Sequence, residues 1–275
     1  MKPDPVATQQ GDHYGAGYDY NSESPHLKHR HLHERLLDRI SAVAARLGQP
    51  EREVEALEIG AGDGSVSSHL LAVGCDVTAS EMSADSVETM NRRFAGNGRF
   101  RAVLDPDGSL DVLGDRRFDL ILYASVLHHI PDYKAAIEQA VDRHLRSGGA
   151  MVAIQDPLWY PRMSRFTLRF QNACYLSWRL TRGNLLRGLR TRTRRARHGL
   201  SEVEAGDAIE YHVVRNGVDE QAIEALIGPR FNKVEIDRYW SSQGTPQQLA
   251  GEKLGLVNTF AVFAEGHRPA NRVSQ

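Results

Sequence analysis

The central part of the chain alternates short apolar runs with segments of helical spacing. The run at 118–123 is apolar and flanked by polar residues, as expected for a strand buried on both faces. Between the runs the spacing is helical, as at 65–73. This alternation predicts an α/β domain built on a largely parallel sheet. The predicted strands are residues 54–59, 75–81, 100–104, 118–123, 150–156, 231–240 and 258–264.

Two segments with helical patterns lie outside this alternation. Leu32, Leu36, Ile40 and Val43 share one face of a helix that we predict over residues 25–47. The insert after the fifth predicted strand is rich in aromatic and apolar residues and predicts two helices with one buried face. The chain thus divides into an arm at 1–50, a core at 51–156, an insert at 157–205 and a C-terminal part of the core at 206–275.

The first predicted strand ends in an acidic residue and a glycine-rich turn, Glu58-x-Gly60-x-Gly62-x-Gly64. Such a turn before a helix lets the backbone approach a nucleotide-like ligand. A diphosphate usually requires a third glycine at position 65, which is serine here. The carboxylates of Glu58 and Asp63 would also repel a diphosphate. The loop therefore favours a cationic ligand.

These motifs resemble those of the class I S-adenosylmethionine-dependent methyltransferases, whose first motif is (D/E)-x-G-x-G-x-G. The segment at 118–132 is similar to the fourth strand and following loop of that family, and 145–149 is similar to its Leu-(Arg/Lys)-Pro-Gly-Gly turn, with Ser147 replacing proline. The resemblance covers about 53–156 and 210–265. It implies a seven-stranded, mostly parallel, doubly wound sheet closed by an antiparallel C-terminal hairpin. A helical N-terminal arm and a helical lid insert would complete the fold.

The resemblance implies S-adenosylmethionine as the cofactor, with S-adenosylhomocysteine as its product. Glu81, at the end of the second strand, would bind the ribose hydroxyls. Asp105, or its neighbour Asp107, would accept a hydrogen bond from the adenine amino group. The full set of expected cofactor-binding residues is Glu58, Gly60, Gly62, Asp63, Glu81, Met82, Asp105, Ser125, Tyr14 and Tyr20.

His128 follows the fourth predicted strand, where the family places the methyl group that is transferred. A histidine titrates near neutral pH and can deprotonate an acceptor hydroxyl or amine, so we predict His128 as the general base. The alternative is that it only shapes the pocket. The expected acceptor-binding residues are His129, Trp159, Arg162 and Phe166.

We predict no metal site. The two cysteines of the chain are not in a Cys-x-x-Cys motif, and the histidines near residue 30 are better explained as a solvated or pocket-lining face. Few cysteines, no secretory signal and no apolar run of membrane-spanning length lead us to expect a soluble cytoplasmic protein.

Charge is distributed unevenly along the 275 residues. Residues 157–200 contain eleven arginines and no acidic residue, while the rest of the chain holds 23 basic and 35 acidic residues, a net charge of −12. The arginines can bind an anionic group of the acceptor, form a nucleic-acid or membrane surface, or pair with the acidic body. The third interpretation suits most of them, because the complementary charge is available. The arm and the insert can also exchange between subunits, which leaves a homo-oligomer open.

The function that the sequence favours most is transfer of a methyl group to an O, N or C atom of a small-molecule acceptor. The Arg- and Ala-rich composition favours bacterial specialised metabolism. One alternative is an RNA methyltransferase that uses the basic insert. The segment after strand four argues against a nucleic-acid partner. It lacks the (Asn/Asp)-Pro-Pro-(Tyr/Phe/Trp) motif of enzymes that methylate exocyclic amines. Another alternative is a non-catalytic protein that keeps the cofactor fold.

Overall fold

The computed structural model of the chain describes residues 6, 9–10, 13, 24–181, 183, 185–201 and 204–269, without the side chains of residues 25, 26, 185–189 and 205. The strands are β1 (Glu55–Ile59), β2 (Asp76–Glu81), β3 (Phe100–Leu104), β4 (Phe118–Ala124), β5 (Leu145–Pro157), β6 (Phe231–Tyr239) and β7 (Thr259–His267). The helices are α1 (Pro25–Lys28), α2 (Arg30–Leu47), α3 (Ser65–Ala72), α4 (Ala84–Arg93), α5 (Tyr133–His144), α6 (Arg165–Thr181), α7 (Leu185–His198), α8 (Ala205–Ala208), α9 (Glu220–Ile227) and α10 (Thr245–Lys253).

The seven strands form one sheet in the order β3-β2-β1-β4-β5-β7-β6. The first five strands run parallel to one another, and β7 lies antiparallel between β5 and β6. The predicted sheet and its C-terminal hairpin are therefore confirmed. The order of strands reverses between β1 and β4, so the loops that follow these two strands diverge and leave a crevice at the carboxyl edge of the sheet.

Alternate residues of the central strands bury their side chains on opposite faces of the sheet. On β4, Leu120 and Leu122 pack in the cluster that includes the apolar stripe of α2, while Ile121 and Tyr123 pack in the cluster that includes α5 and α9. Leu32, Leu36, Ile40 and Val43 all lie in that first cluster, as their spacing predicted. Each such side chain contributes about 1.5–3 kcal/mol on burial.

The structure differs from the predicted helix over 25–47 at one residue. His29 has an extended backbone, with φ −94° and ψ 96°, and separates α1 from α2. Its ring is buried and lies 2.6 Å from the carbonyl oxygen of Ser242, so a contact with a remote loop accompanies the interruption. Spacing along the chain cannot reveal such a contact.

The insert forms two helices, α6 and α7, as predicted, but without the continuous buried face that its composition suggested. In α6 only Thr167 and Cys174 are buried. Phe166 is 59% exposed and Leu180 is 65% exposed. Across the residues that the structure describes, no helix is both long and apolar enough to span a membrane.

A buried carboxylate joins the start of β1 to β4 and β5. Asp119 accepts hydrogen bonds from both terminal nitrogens of Arg52, at 2.5 and 2.6 Å, and from Arg146 at 3.0 Å. The backbone N–H of Glu55 also donates to it at 3.0 Å. Burial would raise the pKa of Asp119, but the hydrogen bond from Arg52 and the two nearby cations hold it below its ordinary value.

We expect Asp119→Asn to lower the free energy of unfolding by roughly 2–3 kcal/mol, because it leaves the Arg52 guanidinium without its carboxylate and Arg146 with Glu55 alone. Urea titration at neutral pH measures this loss. Asp111→Asn is the matched control, since Asp111 is 71% exposed in its ion pair with Arg143, and it should change stability by about 0.5 kcal/mol or less. Equal losses in the two variants would contradict the role assigned to Asp119.

Candidate active site

The glycine turn after β1 packs directly against the loop after β4. Gly60 has a φ of 68°, and a Cβ atom at this position would lie 2.8 Å from Cγ2 of Val126. A side chain would therefore be strained by backbone conformation and by the contact. Gly62 also has a positive φ, 57°, and directs its N–H at the end of β2. The turn thus presents backbone to the crevice.

Glu81 is fixed by the backbone at the carboxyl end of β2. Its two carboxylate oxygens accept hydrogen bonds from the N–H groups of Gly62 and Ser83, each at 2.9 Å. Burial raises the pKa of Glu81, and the backbone hydrogen bonds oppose that shift. Each oxygen retains a second lone pair, so the carboxylate has the capacity to accept two hydroxyl groups from a ligand.

Glu58 lies at the end of β1 and is almost fully buried. Burial, reinforced by the charges of Asp63 and Glu81, raises its pKa to about 8, although a hydrogen bond from the Ser67 hydroxyl opposes the shift. A carboxyl group with this pKa is largely protonated at neutral pH. A cation bound nearby would favour its ionised form.

The other predicted cofactor residues that the structure describes line the same cavity, in the glycine turn or near the ends of their strands. Asp105 follows β3 and accepts hydrogen bonds from Ser80 Oγ at 3.2 Å and Leu110 N at 3.1 Å. Asp63 accepts hydrogen bonds from Ser65 and pairs with Arg93 at 3.4 Å, so its carboxylate also supports the turn. Met82, Asp107 and Ser125 complete this wall.

The cavity has a volume of about 1230 Å³ and continues from this wall to the insert. A site for one small molecule typically measures about 300–1,000 Å³, so the space suffices for a cofactor and an acceptor together. We call the part lined by the ends of β1–β4 the cofactor half, and the part lined by α6, α7 and residues 206–215 the lid half. Five described residues of the N-terminal arm, Val6, Gln10, His13, Ser24 and Leu27, also line the cavity.

His128 is held by a buried aspartate where the two halves meet. Asp156, which is fully buried, lies 2.8 Å from His128 Nδ1 through Oδ1, and the backbone N–H of His128 donates to the same oxygen at 3.0 Å. An ionised carboxylate can only accept, so Nδ1 carries a hydrogen and Nε2 is the basic nitrogen. Burial alone would lower the pKa of His128, but the hydrogen bond with Asp156 and the charges of Glu210 and Asp156 raise it above its ordinary value.

Nε2 of His128 faces a second carboxylate, since it lies 3.5 Å from Oε2 of Glu210. His129 packs beside it, with 4.0 Å between ring centroids, and its Nδ1 lies 2.6 Å from the carbonyl oxygen of Ile209. Burial and the neighbouring His128 lower the pKa of His129 to about 4, so its ring is neutral at physiological pH. The two rings, tilted by 43°, can lie this close because only one of them takes up a proton.

Ligand atoms of His128, His129 and Glu210 lie within 4.8 Å of one another, close enough to hold a metal ion. The sequence offered no signal for this cluster, because Glu210 lies 54 residues beyond strand five (Asp156) and in no recognisable motif. Asp156 was visible as the acidic end of the fifth predicted strand, and the reasoning applied to Glu81 would have identified it.

Three predicted acceptor residues do not line the cavity. Arg162 pairs with Asp219 and Glu220, and Phe166 is directed to solvent. The cavity wall near Trp159 is formed instead by its neighbour Tyr160, whose hydroxyl donates to the carbonyl of Val213 at 3.0 Å. His129 does line the cavity. Tyr14 and Tyr20 lie outside the described residues.

Known proteins match this chain in one domain and in overall fold. Residues 57–151 match a family model described as a methyltransferase domain. The CurJ carbon methyltransferase is similar in structure, with a TM-score of 0.53 and 14% identity over 90% of this chain and 57% of that one. The plantazolicin methyltransferase BpumL, solved with S-adenosylhomocysteine, gives a TM-score of 0.53 and 12% identity over 96% of each chain. YcgJ from Bacillus subtilis gives 0.51 and 14% over 87% of this chain and 100% of its own. No curated protein matches the sequence.

Residues 57–151 thus match a methyltransferase domain, and the strand order of the sheet agrees with the Rossmann-like methyltransferase fold. The matched domain supports an enzyme, and S-adenosylmethionine is the cofactor consistent with it. The cavity residues fit that cofactor chemically, because Glu81 offers hydroxyl acceptors and the carboxyl groups around the turn suit a sulfonium and an ammonium group.

The raised pKa of Glu58 predicts a pH-dependent loss of stability in the ligand-free protein. Between pH 4.5 and about 8 the folded protein keeps a proton that the unfolded chain has released. The free energy of unfolding therefore falls as pH rises through this window, by up to about 1.4 kcal/mol per pH unit from this group. Glu58→Gln should remove that contribution.

Urea unfolding of the wild type and the variant at pH 5, 6, 7 and 8 tests this, and the variant's relative stability should grow with each step. Glu53→Gln, at an exposed position just before β1, is the control and should leave the pH profile unchanged. A constant difference between wild type and Glu58→Gln would show that Glu58 does not titrate in this window.

Proposed function

We propose that the enzyme transfers the methyl group of S-adenosylmethionine to an O, N or C atom of a small-molecule acceptor, in the cytoplasm and within bacterial specialised metabolism. The observation that carries the proposal is His128, held between Asp156 and Glu210 at the junction of the cofactor half and the lid half. A base at this junction can reach an acceptor in one half and the methyl donor in the other.

A cavity of this shape favours a small molecule. It is lined by the insert and by described residues of the N-terminal arm as well as by the sheet edge, so an acceptor would lie between these elements. Such a cavity would hold donor and acceptor in line, which is the main source of rate enhancement for such a transfer. The carbon methyltransferase and the plantazolicin methyltransferase share only the fold with this chain, and they agree with the proposal without selecting the acceptor atom.

The proposed chemistry needs one base and no further group. Nε2 of His128 takes the proton from the acceptor nucleophile as that atom attacks the methyl carbon. S-adenosylmethionine, which Glu81 and the glycine turn would hold, would supply the methyl group and keep the electron pair of the broken carbon–sulfur bond on sulfur, giving S-adenosylhomocysteine. Glu210 and Asp156 stabilise the imidazolium that forms, and Asp156 also fixes the tautomer that exposes Nε2.

Cofactor binding is tested by calorimetric titration with S-adenosylhomocysteine. We expect micromolar affinity for the wild type, a scale of roughly −8 kcal/mol. Glu81→Ala should weaken binding at least tenfold, since hydrogen bonds to a charged group contribute about 1.5–3 kcal/mol each. Glu224→Ala, the same substitution at an exposed position of α9, should bind as the wild type does. An unchanged affinity in Glu81→Ala would remove Glu81 from the cofactor site.

The base is tested on the first acceptor that supports release of S-adenosylhomocysteine. His128→Ala should lower turnover by about two orders of magnitude, the usual contribution of a general base, while cofactor affinity stays at the wild-type value. In the wild type, kcat/KM should rise with pH through an apparent pKa above 6.5, because the flanking carboxylates raise the pKa of His128.

His198→Ala, at an exposed position at the end of α7, is the matched control and should keep full turnover. If His128→Ala turned over as fast as the wild type, His128 would only line the pocket and would not be the base. The metal alternative is tested by chelation: loss of activity with EDTA, restored by a divalent metal, would assign His128, His129 and Glu210 to a metal site and contradict the role of His128 as the base.

A further inference from the structure

The two halves of the cavity carry opposite charge. Five carboxyl groups line the cofactor half, whereas four arginines and one carboxylate, that of Glu210, line the lid half. The acidic residues are Glu58, Asp63, Glu81, Asp105 and Asp107, and the arginines are Arg179, Arg192, Arg195 and Arg215. The acidic half suits the cationic cofactor, and the basic half raises the question of what it binds.

Two of these four arginines have structural partners. Arg195 donates to the fully buried carboxylate of Asp207 at 2.7 Å, and Arg194 donates to the other oxygen of Asp207 at 2.6 Å. Arg215 stacks on the ring of Tyr211 at 3.5 Å and donates to the carbonyl oxygens of Asp207 and Tyr211. These contacts join α7 to the segment around α8. Arg195 and Arg215 therefore both have a structural role.

Arg179 and Arg192 have only neutral partners among the described residues. Arg179 donates to the hydroxyl of Tyr175 at 2.6 Å, and Arg192 donates to Oδ1 of Asn172 at 3.0 Å. Both guanidinium groups lie over the same ring, 5.0 and 5.7 Å from the centroid of Tyr175. Two arginines from different helices thus converge on one point of the cavity wall, and no carboxylate of a described residue pairs with either of them.

We propose that Arg179 and Arg192 bind an anionic group of the methyl acceptor, a carboxylate, phosphate or sulfate; this inference rests on the proposed function. A planar guanidinium recognises such groups through paired hydrogen bonds, and both side chains retain N–H donors beyond those used for Tyr175 and Asn172. Oε1 of Gln171, buried in the same wall, accepts no hydrogen bond from a described residue and is placed to accept one from the acceptor's polar body.

The remaining described arginines of α7 provide an internal comparison. Arg190 and Arg197 are exposed, as Arg192 is, but unlike Arg192 they do not line the cavity. A nucleic-acid surface would use these exposed cations at least as much as Arg179 and Arg192. An anion site within the cavity would not involve them.

The test uses three aromatic probes on the full chain saturated with S-adenosylhomocysteine: benzoate, phenyl phosphate and the neutral benzamide. Calorimetry should show at least tenfold tighter binding of one anion than of benzamide, and the preferred anion distinguishes a carboxylate acceptor from a phosphorylated one. The double variant Arg179→Gln/Arg192→Gln should lose at least tenfold affinity for that anion. Its melting temperature and its affinity for S-adenosylhomocysteine should match the wild type.

The double variant Arg190→Gln/Arg197→Gln removes the same charge and should bind the anion as the wild type does. Equal losses in both double variants, or no preference for an anion over benzamide, would overturn the proposal. Binding of a single-stranded RNA that weakens in both double variants would instead assign the arginines to a nucleic-acid surface. Failure of the wild type to bind S-adenosylhomocysteine would count against the proposed function itself, before any anion is added.

Discussion

The carboxyl edge of the parallel sheet is the feature on which the rest of this structure depends. The loops after β1 and β4 diverge there, yet they stay in contact through Gly60 and Val126. Parallel strands bring their carboxyl ends to one edge, so residues far apart in sequence share one cavity. Glu58, Glu81, Asp105, Ser125 and Asp156 all lie at that edge, each at the end of a different strand or just beyond it.

Burial of carboxyl groups at this edge connects the fold to ligand chemistry. Desolvation raises the pKa of Glu58, Glu81 and Asp105, so the ligand-free site holds acidic groups in a partly unfavourable environment. A cation in the crevice would reduce that unfavourable energy, which is one physical reason why a sulfonium cofactor suits this loop better than a diphosphate. Asp119 lies outside the crevice. Its buried carboxylate pairs with two arginines and therefore stays ionised.

The insert and the segment that follows it in the chain complete the cavity. Asp207 binds Arg194 and Arg195 and thereby joins α7 to the segment that carries Glu210. The same segment contacts the loop after β4, since the backbone N–H of His212 donates to the carbonyl of His128 at 2.8 Å. The position of the second carboxylate beside His128 therefore depends on how the lid half packs onto the core.

The sequence alone determined the sheet and the cofactor half, because both depend on local patterns. Apolar runs, the glycine turn and an acidic residue at a strand end each occupy a few adjacent positions, so β3 and the end of β2 were predicted at the right residues. The tertiary structure alone decided the lid half. Folding brings the carboxylate of Glu210 beside His128. His29 interrupts the N-terminal helix and contacts Ser242. Arg162 pairs with Asp219 and does not line the cavity. These outcomes depend on which distant segments meet, and no spacing along the chain records that.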